Sequence, residues 1–245
     1  MSRIALGVLS VTFRKLGVSE IVRLAARAGL DCIEWGGDIH VPPGDLAAAR
    51  RARRTTEAAG LTVRAYGSYY RCRPGEDFSP VLETAEALGA PVIRIWAGDV
   101  GSGCDDAARR AFTNQAQRAV ELATARCITV ACEFHQGTLT DTLASTQRLL
   151  SEVAGLRTLW QPPHDMPENE QIDGLRALLP HLEHVHVFHW RMPDRARLPL
   201  RDGADYWRRR LAILRTHPAA ALLEFVRDDD PANFLEDAAT LRELV

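Results

Sequence analysis

The segment CITVACEF, Cys127–Phe134, is a short run of apolar and β-branched residues that contains one carboxylate near its end. Seven similar runs occur along the chain, starting at Arg3, Asp31, Leu61, Pro91, Arg157, Glu183 and Ala220. Their starts are about 30 residues apart, and a regular period of this size is typical of a repeated supersecondary unit. The length and composition of the runs predict eight β-strands.

The segments between these runs have the periodicity of amphipathic helices, as in VSEIVRLAARAG, VLETAEALG, AQRAVELATA and ANFLEDAATLREL. Strict alternation of strands and helices predicts parallel strands that are covered by helices. Eight such units predict the α/β class and a single (β/α)₈ TIM barrel. No linker-like stretch interrupts the chain, so residues 1–245 are predicted to form one domain. An open doubly wound sheet is the alternative, but no GxGxxG motif follows the first strand.

Composition limits the classes of partner. The formal net charge of −2 argues against a non-specific nucleic-acid surface, and no apolar run approaches the ~20 residues of a membrane span. The first residues lack a signal-peptide pattern, and the five cysteines contain no CxxC pair. These features predict a cytoplasmic protein that binds neither nucleic acid nor membrane.

Polar residues stand at the ends of the last four predicted strands. In such barrels the functional residues lie at the C-terminal ends of the strands. There the sequence has Glu133, Gln161, His186 and Glu224. Two carboxylates, an amide and an imidazole can enclose one divalent cation, either Mn²⁺, Mg²⁺, Co²⁺ or Zn²⁺. Alternatively, either glutamate alone could be paired with an arginine.

Two neighbouring positions have more ordinary interpretations. His184 shares the strand face of His186 but lies deeper in the barrel, where a hydrogen-bonded core histidine is expected. Trp96 ends the fourth predicted strand. It either covers the mouth of the barrel or contacts a sugar, because aromatic side chains serve both purposes.

Several segments carry a family resemblance: ACEFHQGTLTDT, HVHVF, RLPLRDGADYW and LLEFV, together with IEWGGDIHVP and VIRIWAG. Over essentially the whole chain, the sequence resembles the xylose-isomerase-like barrels, the sugar phosphate isomerases/epimerases or AP endonuclease 2-like barrels. The resemblance implies a metal held by Glu133, His186, Glu224 and the residue that ends strand 6. Sugar-converting members have Asp-x-x-His at strand 6, whereas this chain has QPPH. Gln161 thus replaces the aspartate while His164 keeps the histidine, and we expect an altered, weaker metal site.

The resemblance also implies an activity, namely metal-dependent isomerisation or epimerisation of a sugar or sugar derivative. Glu133 and Glu224 are the predicted catalytic residues, each transferring a proton on one face of a carbon next to a carbonyl. The predicted substrate-binding residues are His135, His164, His189, Arg191 and Trp96. Two alternatives stay open: a dehydratase of a keto-cyclitol or sugar acid, and a non-catalytic sugar-binding barrel with a weakened metal site. Substrate identity and phosphorylation are open, as is the oligomeric state, with a homo-oligomer among the options.

Overall fold

The computed structural model describes residues 3–163 and 166–245, and it confirms the predicted (β/α)₈ barrel. The barrel strands are β1 (Ala5–Leu9), β2 (Cys32–Gly36), β3 (Thr62–Gly67), β4 (Val92–Ile95), β5 (Thr129–Glu133), β6 (Arg157–Trp160), β7 (Leu182–Val187) and β8 (Ala220–Leu223). The helices are α1 (Val18–Arg27), α2 (Leu46–Ala58), α3 (Ser79–Leu88), α4 (Asp106–Thr124), α5 (Leu143–Glu152), α6 (Glu168–Leu178), α7 (Ala204–Leu214) and α8 (Pro231–Glu243).

All neighbouring barrel strands are parallel, and the barrel is closed by pairing of β1 with β8. Each strand otherwise pairs with the one before it in the chain. Between β7 and α7, a two-stranded antiparallel ribbon pairs Trp190 with Arg197 and Arg191 with Ala196. Among the described residues, no helix combines the length and apolar character needed to cross a membrane.

Side chains alternate between two environments along the strands. One face packs large apolar residues such as Ile33, Trp35 and Ile93 into the main core beneath the helices. The other face lines the barrel interior, where the small cluster of Ala65, Val92, Ala131 and Leu159 fills the lower part. Two residues further along, three of these four interior faces carry a polar side chain. The alternation therefore places a polar layer at the C-terminal ends of the strands.

Capping residues hold the loops at this end of the barrel. The side chains of Asp105, Thr142 and Asp230 accept hydrogen bonds from backbone N–H groups in the first turns of α4, α5 and α8. A capped helix start fixes where each preceding loop ends. The loops that follow β4, β5 and β8 are therefore anchored at both ends.

Candidate active site

A cavity of about 710 Å³ opens at the C-terminal ends of the strands. Glu133, Gln161 and Glu224 line it, together with Arg94 from β4. The largest well-formed pocket at this end of a TIM barrel is the default place for an active site. Three of the four residues predicted to hold a metal thus share one cavity.

His186, the fourth predicted ligand, lies fully buried within contact distance of two of the others. Its Nδ1 is 3.4 Å from Oε2 of Glu224 and 3.7 Å from Oε1 of Glu133. Neither nitrogen of the His186 ring, nor Oε2 of Glu224, has a hydrogen-bond partner among the described residues. Buried polar atoms without partners are costly, so this group is arranged for something that bonds to it.

Arg94 is a residue of the candidate site that the sequence interpretation missed. It is only 4% exposed, and its Nε lies 2.8 Å from Oε1 of Glu34 while Nη1 lies 2.5 Å from Oε2 of Glu133. Burial alone would raise the pKa of each carboxyl, but Arg94 and the histidines outweigh it. The pKa of Glu133 is lowered to about 2, and that of Glu34 is held well below its usual range. A signal was present in the sequence: the arginine in the apolar run PVIRIW occupies a position whose side chain is expected to face the barrel interior.

The prediction that His184 is a hydrogen-bonded core histidine is confirmed. It is fully buried, and its Nε2 lies 2.7 Å from Oε2 of Glu34. Burial lowers the pKa of His184 to about 4, although the bond to Glu34 opposes this shift. A neutral His184 next to an ionised Glu34 donates this hydrogen bond through its Nε2–H.

The charges around His186 fit a divalent cation. Three buried carboxylates (Glu34, Glu133 and Glu224) face a single guanidinium, that of Arg94, which leaves two negative charges in excess. Burial raises the pKa of Glu224 to about 7, with Glu133 adding to the shift. Although burial opposes it, these carboxylates raise the pKa of His186 to about 10. Deprotonation of both groups would leave negative charge that a divalent ion could balance.

A second group of ligand atoms overlaps the first. One side-chain atom each of Glu34, His184 and His186 lies within 4.8 Å of the other two, a spacing that suits a metal ion. This cluster lies deeper than the cavity-facing carboxylates, because all three residues are almost completely buried. His186 belongs to both groups: its Nε2 faces Glu34 and its Nδ1 faces Glu133 and Glu224.

Aromatic side chains form two walls of the cavity. On one side, Trp96 packs against His135 with ring centroids 4.2 Å apart and stacks on Tyr69 at 6.3 Å. The other wall consists of Phe188, Trp190 and Phe225, whose centroids are 4.8–5.4 Å apart. Both walls line the same cavity. The space between them suits a ligand with a flat face.

The remaining predicted substrate-binding residues differ in position. His135 and Trp96 line the cavity. His189 instead lies against Gly203, and exposed Arg191 is paired with Asp194 at 2.6 Å. Neither is among the described residues that line the cavity, whereas Trp190 and Met192 of the same segment do line it, as expected from the alternation of side chains along an extended chain. The prediction for His164 lies outside the described residues.

The side chain of Gln171, on α6, holds the loop that carries Gln161 in place. The Gln171 amide nitrogen donates to the carbonyl oxygens of Pro163 and Met166, at 3.1 and 2.8 Å. Its amide oxygen accepts bonds from Tyr206 and from the fully buried Arg210, at 2.5 and 2.8 Å. All hydrogen-bonding capacity of this buried side chain is therefore used to hold the loop against α7.

Comparisons with known proteins agree with this architecture. The model of a family described as the xylose isomerase-like TIM barrel matches residues 22–244. A 3-dehydroshikimate dehydratase of Bacillus anthracis is 25% identical over 197 residues, covering 72% of this chain and 69% of that protein. The crystal structure of the probable 3-DHS dehydratase AsbF from Bacillus anthracis, involved in petrobactin synthesis, superposes with a TM-score of 0.84 at 21% identity, covering 98% of this chain and 99% of that one. The 3-keto-D-glucoside 4-epimerase YcjR from E. coli superposes with a TM-score of 0.74 at 16% identity and 99% coverage of both chains.

Proposed function

The chain belongs to the xylose isomerase-like TIM barrel family, and from this premise we propose that it is a metal-dependent dehydratase of a small cyclic hydroxy-ketone, such as a keto-cyclitol or a related ring acid. The observation that carries the proposal is the unequal surroundings of the two cavity carboxylates. Glu133 is paired with Arg94, whereas Oε2 of Glu224 has no hydrogen-bond partner among the described residues.

This inequality favours elimination over two-base chemistry. Epimerisation with two glutamates requires each to accept and donate a proton in turn. Arg94 holds Glu133 in its ionised form, so this residue is a poor proton donor. Oε2 of Glu224 has no hydrogen-bond partner among the described residues, so this oxygen can accept a proton from the substrate. One such group is sufficient to remove the proton next to a carbonyl.

The cavity residues have distinct roles in this scheme. Glu133, His186 and Glu224, with the Gln161 amide, would hold a divalent ion, which would polarise a substrate carbonyl and acidify the adjacent C–H. Glu224 takes that proton, and the released electron pair forms a C=C bond as the C–O bond at the next carbon breaks.

His135 is the proposed acid for the leaving hydroxyl. Its Nδ1 lies 2.7 Å from the carbonyl oxygen of Gln136 and donates to it, so Nε2 is the nitrogen available for proton transfer. The imidazolium gives its Nε2 proton to the departing hydroxide, which leaves as water. Glu224 later returns its proton to His135 through solvent, and the net reaction is loss of one water from the substrate.

Two further observations support a cyclic substrate. Dehydration next to a ring ketone flattens the ring, and the walls formed by Trp96 and Phe225 with their neighbours favour a flat face. The Bacillus anthracis relative is named as a dehydratase, which supports the same reaction type for this chain.

A sugar isomerase or epimerase is the second candidate. It is favoured by the approach of Glu133 and Glu224 to the same nitrogen of His186 from β5 and from the loop after β8. The E. coli structure named as an epimerase supports this candidate by its fold.

Product analysis separates the candidates. The purified protein with Mn²⁺ is incubated in deuterated buffer with keto-inositols, 3-dehydroshikimate and ketohexoses, and products are followed by ultraviolet absorbance and NMR. We expect a conjugated, absorbing product from a ring ketone. A stereoisomer without new absorbance would select the epimerase instead. Thermal stabilisation by a sugar without any turnover would favour the binding protein.

A further inference from the structure

Glu34 is a buried carboxylate that contacts Arg94, His184 and His186 next to the candidate metal site. It is 1% exposed, in the middle of β2, and both of its oxygens are engaged. Oε1 lies 2.8 Å from Nε of Arg94, and Oε2 lies 2.7 Å from Nε2 of His184. The same Oε2 lies 3.5 Å from Nε2 of His186.

The contact with His186 bears on which ring nitrogen would bind a cation. With a cation on the Nδ1 side, the Glu34 carboxylate next to Nε2 favours the tautomer with its proton on Nε2, because the N–H dipole then points toward negative charge. The lone pair is then on Nδ1, which faces Glu133 and Glu224. Carboxylates that orient metal-binding imidazoles in this way are a general feature of metal sites.

The contact with Arg94 extends the influence of Glu34 to a second candidate ligand. Nη1 of Arg94 lies 2.5 Å from Oε2 of Glu133, which leaves Oε1 of Glu133 as the oxygen on the His186 side. Arg94 thus holds one oxygen of Glu133 away from the ion position. Because Glu34 holds the Arg94 guanidinium in place, it indirectly determines which oxygen of Glu133 is bound by Arg94.

Gly67 of β3 leaves room for the Glu34–Arg94 pair. A Cβ atom at this position would lie 2.7 Å from both Oε1 of Glu34 and Nη2 of Arg94, closer than real Cβ contacts. Any larger residue would displace the pair. The backbone of β3 is therefore adapted to this ion pair.

We infer that Glu34 is a positioning residue for the metal site, acting directly on His186 and through Arg94 on Glu133. The cluster of Glu34, His184 and His186 is the support beneath one ion and not a second ion site. Both Glu34 oxygens already bind other groups, one to Arg94 and one to His184. The inference rests on the proposed function, because it presupposes a metal at the cavity.

Mn²⁺ titration of the purified protein, by calorimetry with a competing chelator, tests this inference. We expect one Mn²⁺ per wild-type chain, and affinity 10- to 100-fold weaker in Glu34→Gln. His184→Gln should keep its affinity within about threefold, since His184 is not a ligand. Two ions per chain, or loss of all binding in His184→Gln, would overturn the inference.

A double variant separates orientation from charge. Glu34→Gln alone also removes a negative charge, which weakens cation binding at any nearby site. Glu34→Gln/Arg94→Gln removes one charge of each sign, so a pure charge effect predicts wild-type affinity. We expect the double variant to stay at least tenfold weaker; wild-type affinity would refute positioning. Circular dichroism checks that each variant is folded.

Failure of the wild type to bind Mn²⁺ would overturn the proposed function together with this inference, whereas unchanged affinity in Glu34→Gln would overturn this inference alone.

Discussion

Nδ1 of His186 lies 3.4 Å from Oε2 of Glu224, and neither atom has a hydrogen-bond partner among the described residues. Two buried polar atoms without partners at this distance, inside a barrel, are arranged for a cation or a proton. The chemistry proposed for the cavity depends on this pair.

Replacing either cavity glutamate by its amide should stop turnover. In Glu224→Gln the amide cannot take up a proton, and in Glu133→Gln a charged ligand is lost. We expect kcat to fall by about 10²–10⁴-fold in each, measured with the substrate found in the product screen. Glu57→Gln, an exposed change on α2, is the matched control. Full activity in Glu224→Gln would exclude it as the proton acceptor.

Restoring a carboxylate at Gln161 should strengthen metal binding. Gln161 lines the cavity beside Glu133 and Glu224, and an anionic oxygen attracts a divalent ion more strongly than an amide oxygen. We expect Gln161→Asp to bind Mn²⁺ about tenfold more tightly than Gln161→Asn, which has the same shape without the charge. Equal Mn²⁺ affinities in calorimetry would place residue 161 outside the ligand set.

Gln171→Leu should destabilise the protein. The substitution leaves the carbonyls of Pro163 and Met166 and the buried guanidinium of Arg210 without this partner. We expect the free energy of unfolding, from urea titration, to fall by about 2–4 kcal/mol. Gln147→Leu on the exposed face of α5 serves as the control. Equal losses in both variants would mean that Gln171 does not fasten the loop.

Asp237 should make stability depend on pH. Its buried carboxyl accepts a hydrogen bond from the backbone N–H of Leu200, and burial raises its pKa to about 6. The folded-state pKa exceeds the unfolded value of about 3.9, so the folded protein holds this proton more tightly than the unfolded chain does. The resulting contribution to the free energy of unfolding is complete below about pH 3.9 and is lost as the pH rises through 6.

Asp237→Asn removes this titration while keeping an acceptor oxygen for Leu200. As the pH rises from 4 to 7, the free energy of unfolding of the variant should increase by about 2 kcal/mol relative to that of the wild type, as measured by urea unfolding. The exposed Asp205→Asn variant controls for general charge effects. A stability difference that does not change with pH would show that Asp237 ionises normally in the folded protein.

The barrel and the identity of the residues at its rim could be predicted because both depend on local patterns. Alternation along a strand determines which side chains face inward, and the repeat of about 30 residues determines the closed barrel. Glu133, His186 and Glu224 approach one another, as expected for residues at the ends of neighbouring strands. The positions of His189 and Arg191 could not be predicted, because the direction of the chain after β7 follows the ribbon and not the strand period.

By itself, the sequence determined the fold, the end of the barrel that carries polar residues, and the replacement of an expected aspartate by Gln161. Only the tertiary structure decided that Arg94 joins Glu34 to Glu133, and that two clusters of aromatic residues from different loops line one cavity. Strand patterns arise from neighbours in the chain, whereas Arg94 is 60 residues from Glu34 and 39 from Glu133. Such pairing follows from closure of the barrel, which brings these side chains into one buried space where opposite charges must meet.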